Sequence, residues 1–424
     1  MLSYRSKPHC GGQGVYVRHL TRELTALGHT VEVFSGQPYP DLDPGPVLRE
    51  VPSLDLYRDP DPFRTPRLGE YRDWIDLLET SLMWGGAFPE PLTFSLRARR
   101  VLGRRQGDFD VVHDNQGLGY GMLRLPLPLV TSIHHPISMD RQIDLASLHG
   151  LQRLSRRRWY GFVRMQARVA RAIGPVITVS ESAKADICRD FRVPADQVHI
   201  IPLGVDTRVF RPRGGPGLGG PGLGERVPGR IVAVTSADSP LKGAATLLRA
   251  AGKLVTERDV HLIVIGKPGP DTIRLVSQLS LGDRVTFTHG LDDTAYAELL
   301  ASAEIAVVPS LYEGFSLPAV EHMASGTALV ASRAGALPEV TGDAAVLVSP
   351  GDAEELCAAL LRLHDSPGER TALGERALRR VTERFSWTAV ARATEDRYRA
   401  AIAARADGSG AGVTCLLLTS LGFR

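Results

Sequence analysis

The chain has 424 residues, 43% hydrophobic and 23% charged, with a formal net charge of +3. That length suffices for two or three domains with separate cores, and the near balance of charge does not demand a nucleic-acid partner. Four scattered cysteines (Cys10, Cys188, Cys357, Cys415) form no CxxC pair, which argues against a metal site or disulfide framework and suits a reducing cytoplasm; no apolar run approaches membrane-spanning length.

Residues 1–6 contain no long apolar segment and do not read as a signal peptide. A first strand is expected before Ser6, with only a few residues to form it, as though the chain began slightly downstream of its true start. The glycines Gly11, Gly12 and Gly14 follow, then an amphipathic helix from Val15 to Leu27 that stops at Gly28, then a strand at 30–34. This is a βαβ unit opened by a glycine-rich turn. It lacks the GxGxxG spacing and an acidic residue ending the second strand, which disfavours a nicotinamide-dependent oxidoreductase.

Residues 36–70 are rich in proline and acidic residues and are expected to form a long irregular excursion. Asp41 and Asp43, like Asp59 and Asp61, follow no apolar strand and read as solvated loop rather than metal ligands. Residues 71–105 are expected to be helical. Strands are expected at 109–113 and 128–133, the second running into His134 and His135. A histidine just past the C-terminal end of a parallel strand lies on the ligand side of an α/β sheet, so His134 is a candidate, weighed against an ordinary structural histidine.

Residues 150–172 spell a basic helix carrying Arg153, Arg156, Arg157, Arg158, Arg164, Arg168 and Arg171. Two readings stay open: a helix lying on an anionic membrane surface, or a solvated arginine face over a domain core. A strand at 175–179, a helix capped by Ser180 and running through Cys188, and a strand at 198–201 close this half. The composition then shifts to Gly and Pro at 211–222, so 211–229 is expected to be a flexible connection, with the domain boundary near Leu203 and Gly204. Strand–helix alternation resumes with strands at 230–234, 260–265, 285–287, 304–308, 328–331 and 345–348. Two such runs imply two doubly wound domains with a cleft between them: 1–203, and 204–390. A last helix at 391–407 is expected to cross back to the first domain, and the tail 408–424 has no assignment.

The most informative stretch is 309–321. A buried strand runs into a loop, then into a helix that ends at Gly326, with Pro318 in its first turn. Such a junction aims free backbone N–H groups and a positive dipole end at its occupant, and phosphate is the natural one. Glu313 in the loop and Glu321 on the helix flank that site. Carboxylates repel phosphate, so their expected task is to accept hydrogen bonds from hydroxyls; phosphate and hydroxyls together suggest a nucleotide sugar.

Over nearly its whole length the chain resembles the retaining GT-B glycosyltransferases of family 4 (glycosyl transferases group 1). The most specific likeness is Glu313-Gly314-Phe315-Ser316-Leu317-Pro318-Ala319-Val320-Glu321, the family's E-x7-E motif, continued by Ala324-Ser325-Gly326-Thr327 and Gly335-Ala336-Leu337-Pro338-Glu339. Further matches are 201–206, 208–212, Leu241-Lys242-Gly243, Gly11-Gly12 and His134. The resemblance implies a fold of two doubly wound Rossmann-like domains facing a central cleft. It also implies transfer of a hexosyl unit, with retention and without a metal or other cofactor, from a nucleotide-diphosphate sugar to a hydroxyl acceptor. Glu321 would bind the ribose, Glu313 the sugar hydroxyls near the reacting carbon, and the backbone of Gly314, Phe315, Ser316 and Leu317 would border the diphosphate. Lys242 would neutralise the leaving phosphate, Gly11 and Gly12 would allow close backbone approach, and His134 would be the active-site histidine. One departure stands out: the family's arginine five residues before the lysine is here Ala237. Lysine cannot replace arginine's bidentate grip on phosphate, so Lys267, Arg5 or Arg18 is expected to substitute, or the donor complex to be weaker. The alternatives are a GT-B-like nucleotide-sugar epimerase and a catalytically weakened or silent family member. The donor stays open between UDP- and GDP-sugars, and the acceptor among a lipid, a polysaccharide and a small molecule. A cytoplasmic place is expected, with peripheral contact to the inner face of the membrane through the basic helices as one option.

Overall fold

The computed structural model describes residues 1–6, 12–58, 60–146, 148–213, 226–235 and 240–407. The chain divides into two compact units. The first comprises Met1–Val179, Ala183–Ile201 and the chain from Val390 on; the second comprises Ser180–Ser182 and Pro202–Ala389.

The first unit is built on an all-parallel sheet of β1 (Leu2–Ser3), β2 (Glu32–Ser35), β3 (Val47–Glu50), β4 (Val112–Asn115), β5 (Leu129–Ser132), β6 (Val176–Thr178) and β7 (Val198–Ile200), in the order β3-β2-β1-β4-β5-β6-β7. The second is built on a parallel sheet of β8 (Arg230–Val234), β9 (His261–Ile265), β10 (Val285–Thr288), β11 (Ile305–Val308), β12 (Ala328–Ser332) and β13 (Ala345–Val348), in the order β10-β9-β8-β11-β12-β13. Each order reverses once, between β1 and β4 and between β8 and β11. In a doubly wound sheet the crossover helices leave in opposite directions at that point, and a crevice opens past the strand ends.

The central strands read as apolar runs because helices cover both faces. Every residue of β11 and β12 is buried, and Leu247, Leu248, Leu254, Leu356, Leu360 and Leu363 pack against that sheet. In the first unit β1 has only two residues, yet it lies at the centre of the sheet, pairing Leu2 with Phe34 on one side and with Asp114 on the other.

Several expectations change. Part of the 36–70 excursion is the edge strand β3, hidden in the sequence because its exposed Arg49 and Glu50 break any apolar pattern; such charges protect a sheet edge. The 71–105 helix is two helices, Trp74–Trp84 and Glu90–Arg104, interrupted at Gly85 and Gly86. The basic helix is also two, Gly150–Trp159 and Phe162–Ala172. The glycine-rich turn is shorter than expected, since Gly12 already starts the Gly12–Ala26 helix; Gly11 lies outside the described residues. The 211–229 connection is not free at its C-terminal end: Arg226 donates to the carbonyls of Ala303 and Gly326 and to Thr327, and the Val227 N–H to Ser302.

Candidate functional site

In the second unit the residues of interest follow the two strands that flank the switch point. Between β8 and the helix that follows it stand the Pro240–Lys242 turn and Gly243; after β11 the chain passes through Pro309 to the Leu317–Ala324 helix. The two loops are locked together. The Leu311 N–H donates to the Leu241 carbonyl at 2.7 Å. Gly243 has a φ of +68°, and a Cβ there would collide with the Pro309 carbonyl oxygen, so only glycine fits.

This contact brings Lys242 Nζ to 2.7 Å from Glu313 Oε1, and Ser310 Oγ donates to the same oxygen at 2.7 Å. Glu313 is held from behind as well: its carbonyl accepts from the Ala336 N–H at 2.9 Å, and Gly335 leaves no room there for a Cβ. The glutamate is buried while the lysine side chain is one-third exposed, so the ion pair sits at an opening with its ammonium outermost. An ammonium has three N–H donors, and one of them goes to Glu313, leaving two without a protein partner among the described residues.

Ser316 forces the turn into the helix. Its φ of +89° is unusual for a residue with a Cβ, and its Oγ accepts from the Ala319 N–H at the helix start. Phe315 points into the core with its ring edge-on to Phe385, 5.6 Å away, so only its backbone is available at the loop. Gly314 and Leu317 are half-buried.

Glu321, on the same helix, accepts a hydrogen bond from the Tyr296 hydroxyl at 2.7 Å. Burial raises its carboxyl to about 7, the tyrosine opposing the shift and Asp293 adding to it. The group therefore exchanges protons near neutrality. Its neighbour His322 is fully buried with neither ring nitrogen bonded, and burial, helped by Arg226, holds it neutral with a pKa near 3.

In the first unit, His134 follows β5 and Gln116 follows β4. His134 Nε2 lies 2.8 Å from Asn115 Oδ1, its backbone N–H donates to Gln116 Oε1 at 3.1 Å, and its ring meets Tyr16 edge-on at 4.7 Å. With Asn115 Oδ1 as acceptor, the imidazole proton sits on Nε2 and Nδ1 keeps its lone pair. Desolvation, with a smaller push from His135, lowers its pKa to about 3, so the ring is neutral at physiological pH. Behind it runs a buried chain of hydrogen bonds: Tyr398 OH to His113 Nδ1 at 2.6 Å, His113 Nε2 to Ser132 Oγ at 2.7 Å, and Ser132 Oγ to Tyr16 OH at 2.9 Å. Burial keeps His113 neutral too, near 3.

Thus Lys242, Glu313, Gly314, Phe315, Ser316, Leu317 and Glu321 gather at one switch point, while Gly12 and His134 belong to the other unit. Ala237 lies outside the described residues. Of the three substitutes for its missing arginine, Arg5 is bound to Glu90 at 3.2 Å and Arg18 to Asp43 at 2.9 Å; Lys267, past the end of β9, is exposed and makes no ion pair with a described residue. Sequence reasoning missed Tyr296, Asn115, Tyr16 and Tyr398. Tyr296 and Tyr398 sit within helices that have no clear apolar face, and they carry no local signal. Asn115 and Tyr16 were findable, since Asn115 ends β4 as His134 follows β5, and Tyr16 lies about one turn along the helix that Gly12 starts.

Comparison with known proteins agrees with this layout. Residues 228–366 match the family model described as glycosyl transferases group 1, and residues 10–209 match glycosyltransferase family 4. The chain is 56% identical over 412 residues to the MMP alpha-(1->4)-mannosyltransferase of Mycolicibacterium hassiacum, covering 95% of this chain and 98% of that one. Among solved structures, it is similar to sucrose-phosphate synthase from Thermosynechococcus elongatus, with a TM-score of 0.70 at 24% identity over 95% of this chain and 99% of that one. Anabaena HepE in complex with UDP-glucose matches with a TM-score of 0.66 at 15% identity, over 94% and 99% of the two chains.

Proposed function

The chain belongs to glycosyltransferase family 4 and has the GT-B fold; from that premise we propose that it moves a mannosyl unit from a nucleotide-diphosphate sugar to a sugar hydroxyl, with retention at the anomeric carbon. The observation that carries this reading is the cluster at the β8/β11 switch point. There Lys242 and the start of the Leu317–Ala324 helix offer positive charge, and Glu313 and Glu321 offer hydroxyl acceptors. The mannosyl assignment rests on the named activity of the 56% identical relative; a UDP-hexose and a GDP-hexose are both donors to be tried.

Each residue has a role in that reaction. Glu321, when ionised, accepts from the ribose hydroxyls. The diphosphate lies against the backbone of 314–317 and the helix end. As the bond from anomeric carbon to phosphate oxygen breaks, negative charge grows on the leaving diphosphate. Lys242 meets it there and stabilises the transition state more than the ground state. Lys267 is the candidate second cation in place of the arginine absent at 237. Glu313 holds the sugar hydroxyls and keeps Lys242 extended. The acceptor oxygen forms its bond to the anomeric carbon on the face the phosphate leaves, and its proton passes to a leaving phosphate oxygen, so no protein base or metal is assigned. His134, neutral and held by Asn115 and Gln116, is assigned a hydrogen bond to the transferred sugar. We place the reaction in the cytoplasm, with the basic helices as the surface for any membrane contact.

The test is to incubate the purified protein with GDP-mannose or UDP-glucose, with and without a mannoside acceptor, and to read free nucleotide and product linkage by NMR. Release of nucleotide with an α-linked product, only when the acceptor is present, supports the reading. Epimerised sugar without an acceptor, or no turnover of either donor, overturns it.

A further inference from the structure

The basic helices of the first unit contain a feature that the transfer reaction does not use. The Gly150–Trp159 and Phe162–Ala172 helices are separated at Tyr160 and Gly161, and the Ser138–Ala146 helix lies beside the break. There a concavity of about 390 Å³ is lined by Arg141, Arg157, Arg158, Tyr160, Gly161 and Arg164. No carboxylate lines it. None of its four guanidinium groups makes an ion pair or a side-chain hydrogen bond with a described residue, and Arg141 Nε is buried without a partner.

Close by, Arg156 reaches Asp144 at 3.8 Å, and Arg189 binds both Asp186 and Asp190 at 2.7 Å. The neighbouring carboxylates are already engaged: Asp144 accepts from the Tyr160 hydroxyl at 2.7 Å, and Asp140 lies 3.0 Å from His135 Nε2. Four like charges around one hollow repel one another, and an entering anion converts that repulsion into attraction. Guanidinium forks match the oxygens of a phosphate in pairs, and the hollow falls within the size range of small-ligand sites.

We propose that this concavity binds a phosphate group, separately from the donor site of the second unit. Two sources fit the chemistry: a soluble phosphomonoester, or a phospholipid headgroup. The second would engage Leu151 and Leu154, which the Gly150–Trp159 helix leaves exposed and which no part of the described chain covers.

The experiment compares the full chain with its Arg157→Gln/Arg158→Gln/Arg164→Gln variant. All three side chains are exposed, so folding should persist, and circular dichroism with GDP and UDP affinity serves as the control. A triple lysine variant restores charge without the forks. Glycerol 3-phosphate binding is measured by calorimetry, and binding to vesicles of phosphatidylglycerol in phosphatidylcholine by co-sedimentation. The proposal expects at least one probe to bind, with a loss of about tenfold or more in the glutamine variant, partial recovery with lysine, and weakening by salt. Glycerol 3-phosphate binding identifies the soluble source, and vesicle binding alone identifies the lipid. Failure of both probes to bind the wild-type chain, or equal binding by the glutamine variant, overturns the proposal. Neither result touches the transfer reaction, whose donor residues lie in the other unit.

Discussion

Past β4 and β5, in the first unit, the side chains are neutral and bonded to one another. His134 leans on Asn115 and Gln116, and a buried relay of Tyr398, His113, Ser132 and Tyr16 backs it. Past β8 and β11, in the second unit, they are charged and only partly partnered: Lys242 with Glu313, and a Glu321 whose proton is loosely held. Both sites stand at the end of a parallel sheet with the same winding, so topology chose the places and side-chain chemistry divided the labour. A rigid neutral surface suits a group that must be positioned. A charged, half-open one suits a ligand that brings and sheds charge.

Substitutions should separate the two. Lys242→Ala should have the largest effect, a fall in transfer rate of about a thousandfold, because the ammonium acts on charge that grows only in the transition state; it also leaves the buried Glu313 without its cation, so the variant's fold is checked by circular dichroism. Turnover near the wild-type value would remove lysine from its role. His134→Ala should cost roughly a hundredfold in rate. Since burial holds that ring near a pKa of 3, the pH–rate profile of the intact chain should show no histidine step between pH 5 and 8, and finding one that His134→Gln abolishes would contradict the neutral assignment.

A third prediction concerns stability. The folded-state pKa of Glu321, about 7, lies above its ordinary value, so the native chain holds a proton that the unfolded chain releases. The wild type therefore gains stability as pH falls from above 7 towards 4.5, and Glu321→Gln should be the more stable chain at pH 8.5, by up to about 3 kcal/mol, with the advantage gone near pH 5. Chemical denaturation at the two pH values reads this directly. The smallest effect is expected for Tyr398→Phe. It leaves His113 Nδ1 unbonded in the interior and should cost about 1–3 kcal/mol in stability, with donor affinity unchanged.

The second unit was the more legible in the sequence. Its apolar strands, the Glu313-to-Glu321 spacing and the lysine between Leu241 and Gly243 are local patterns, and local patterns survive in one dimension. The Lys242–Glu313 contact was not legible, because it depends on Gly243 admitting the Pro309 carbonyl, a fit between segments far apart in the chain. In the first unit a two-residue central strand, a charged edge strand and a relay ending on the last helix have no periodicity to read. The break at Tyr160 and Gly161 was equally hidden, since the arginine pattern runs through it without interruption.

The division of labour between the two glutamates is the central claim, and one pair of titrations tests it. GDP and UDP binding should be measured by calorimetry for Glu313→Gln and Glu321→Gln beside the wild-type chain. The account predicts that Glu321→Gln loses nucleotide affinity, whereas Glu313→Gln keeps it and loses sugar transfer. Loss of nucleotide affinity in Glu313→Gln, with Glu321→Gln unaffected, would contradict the assignment.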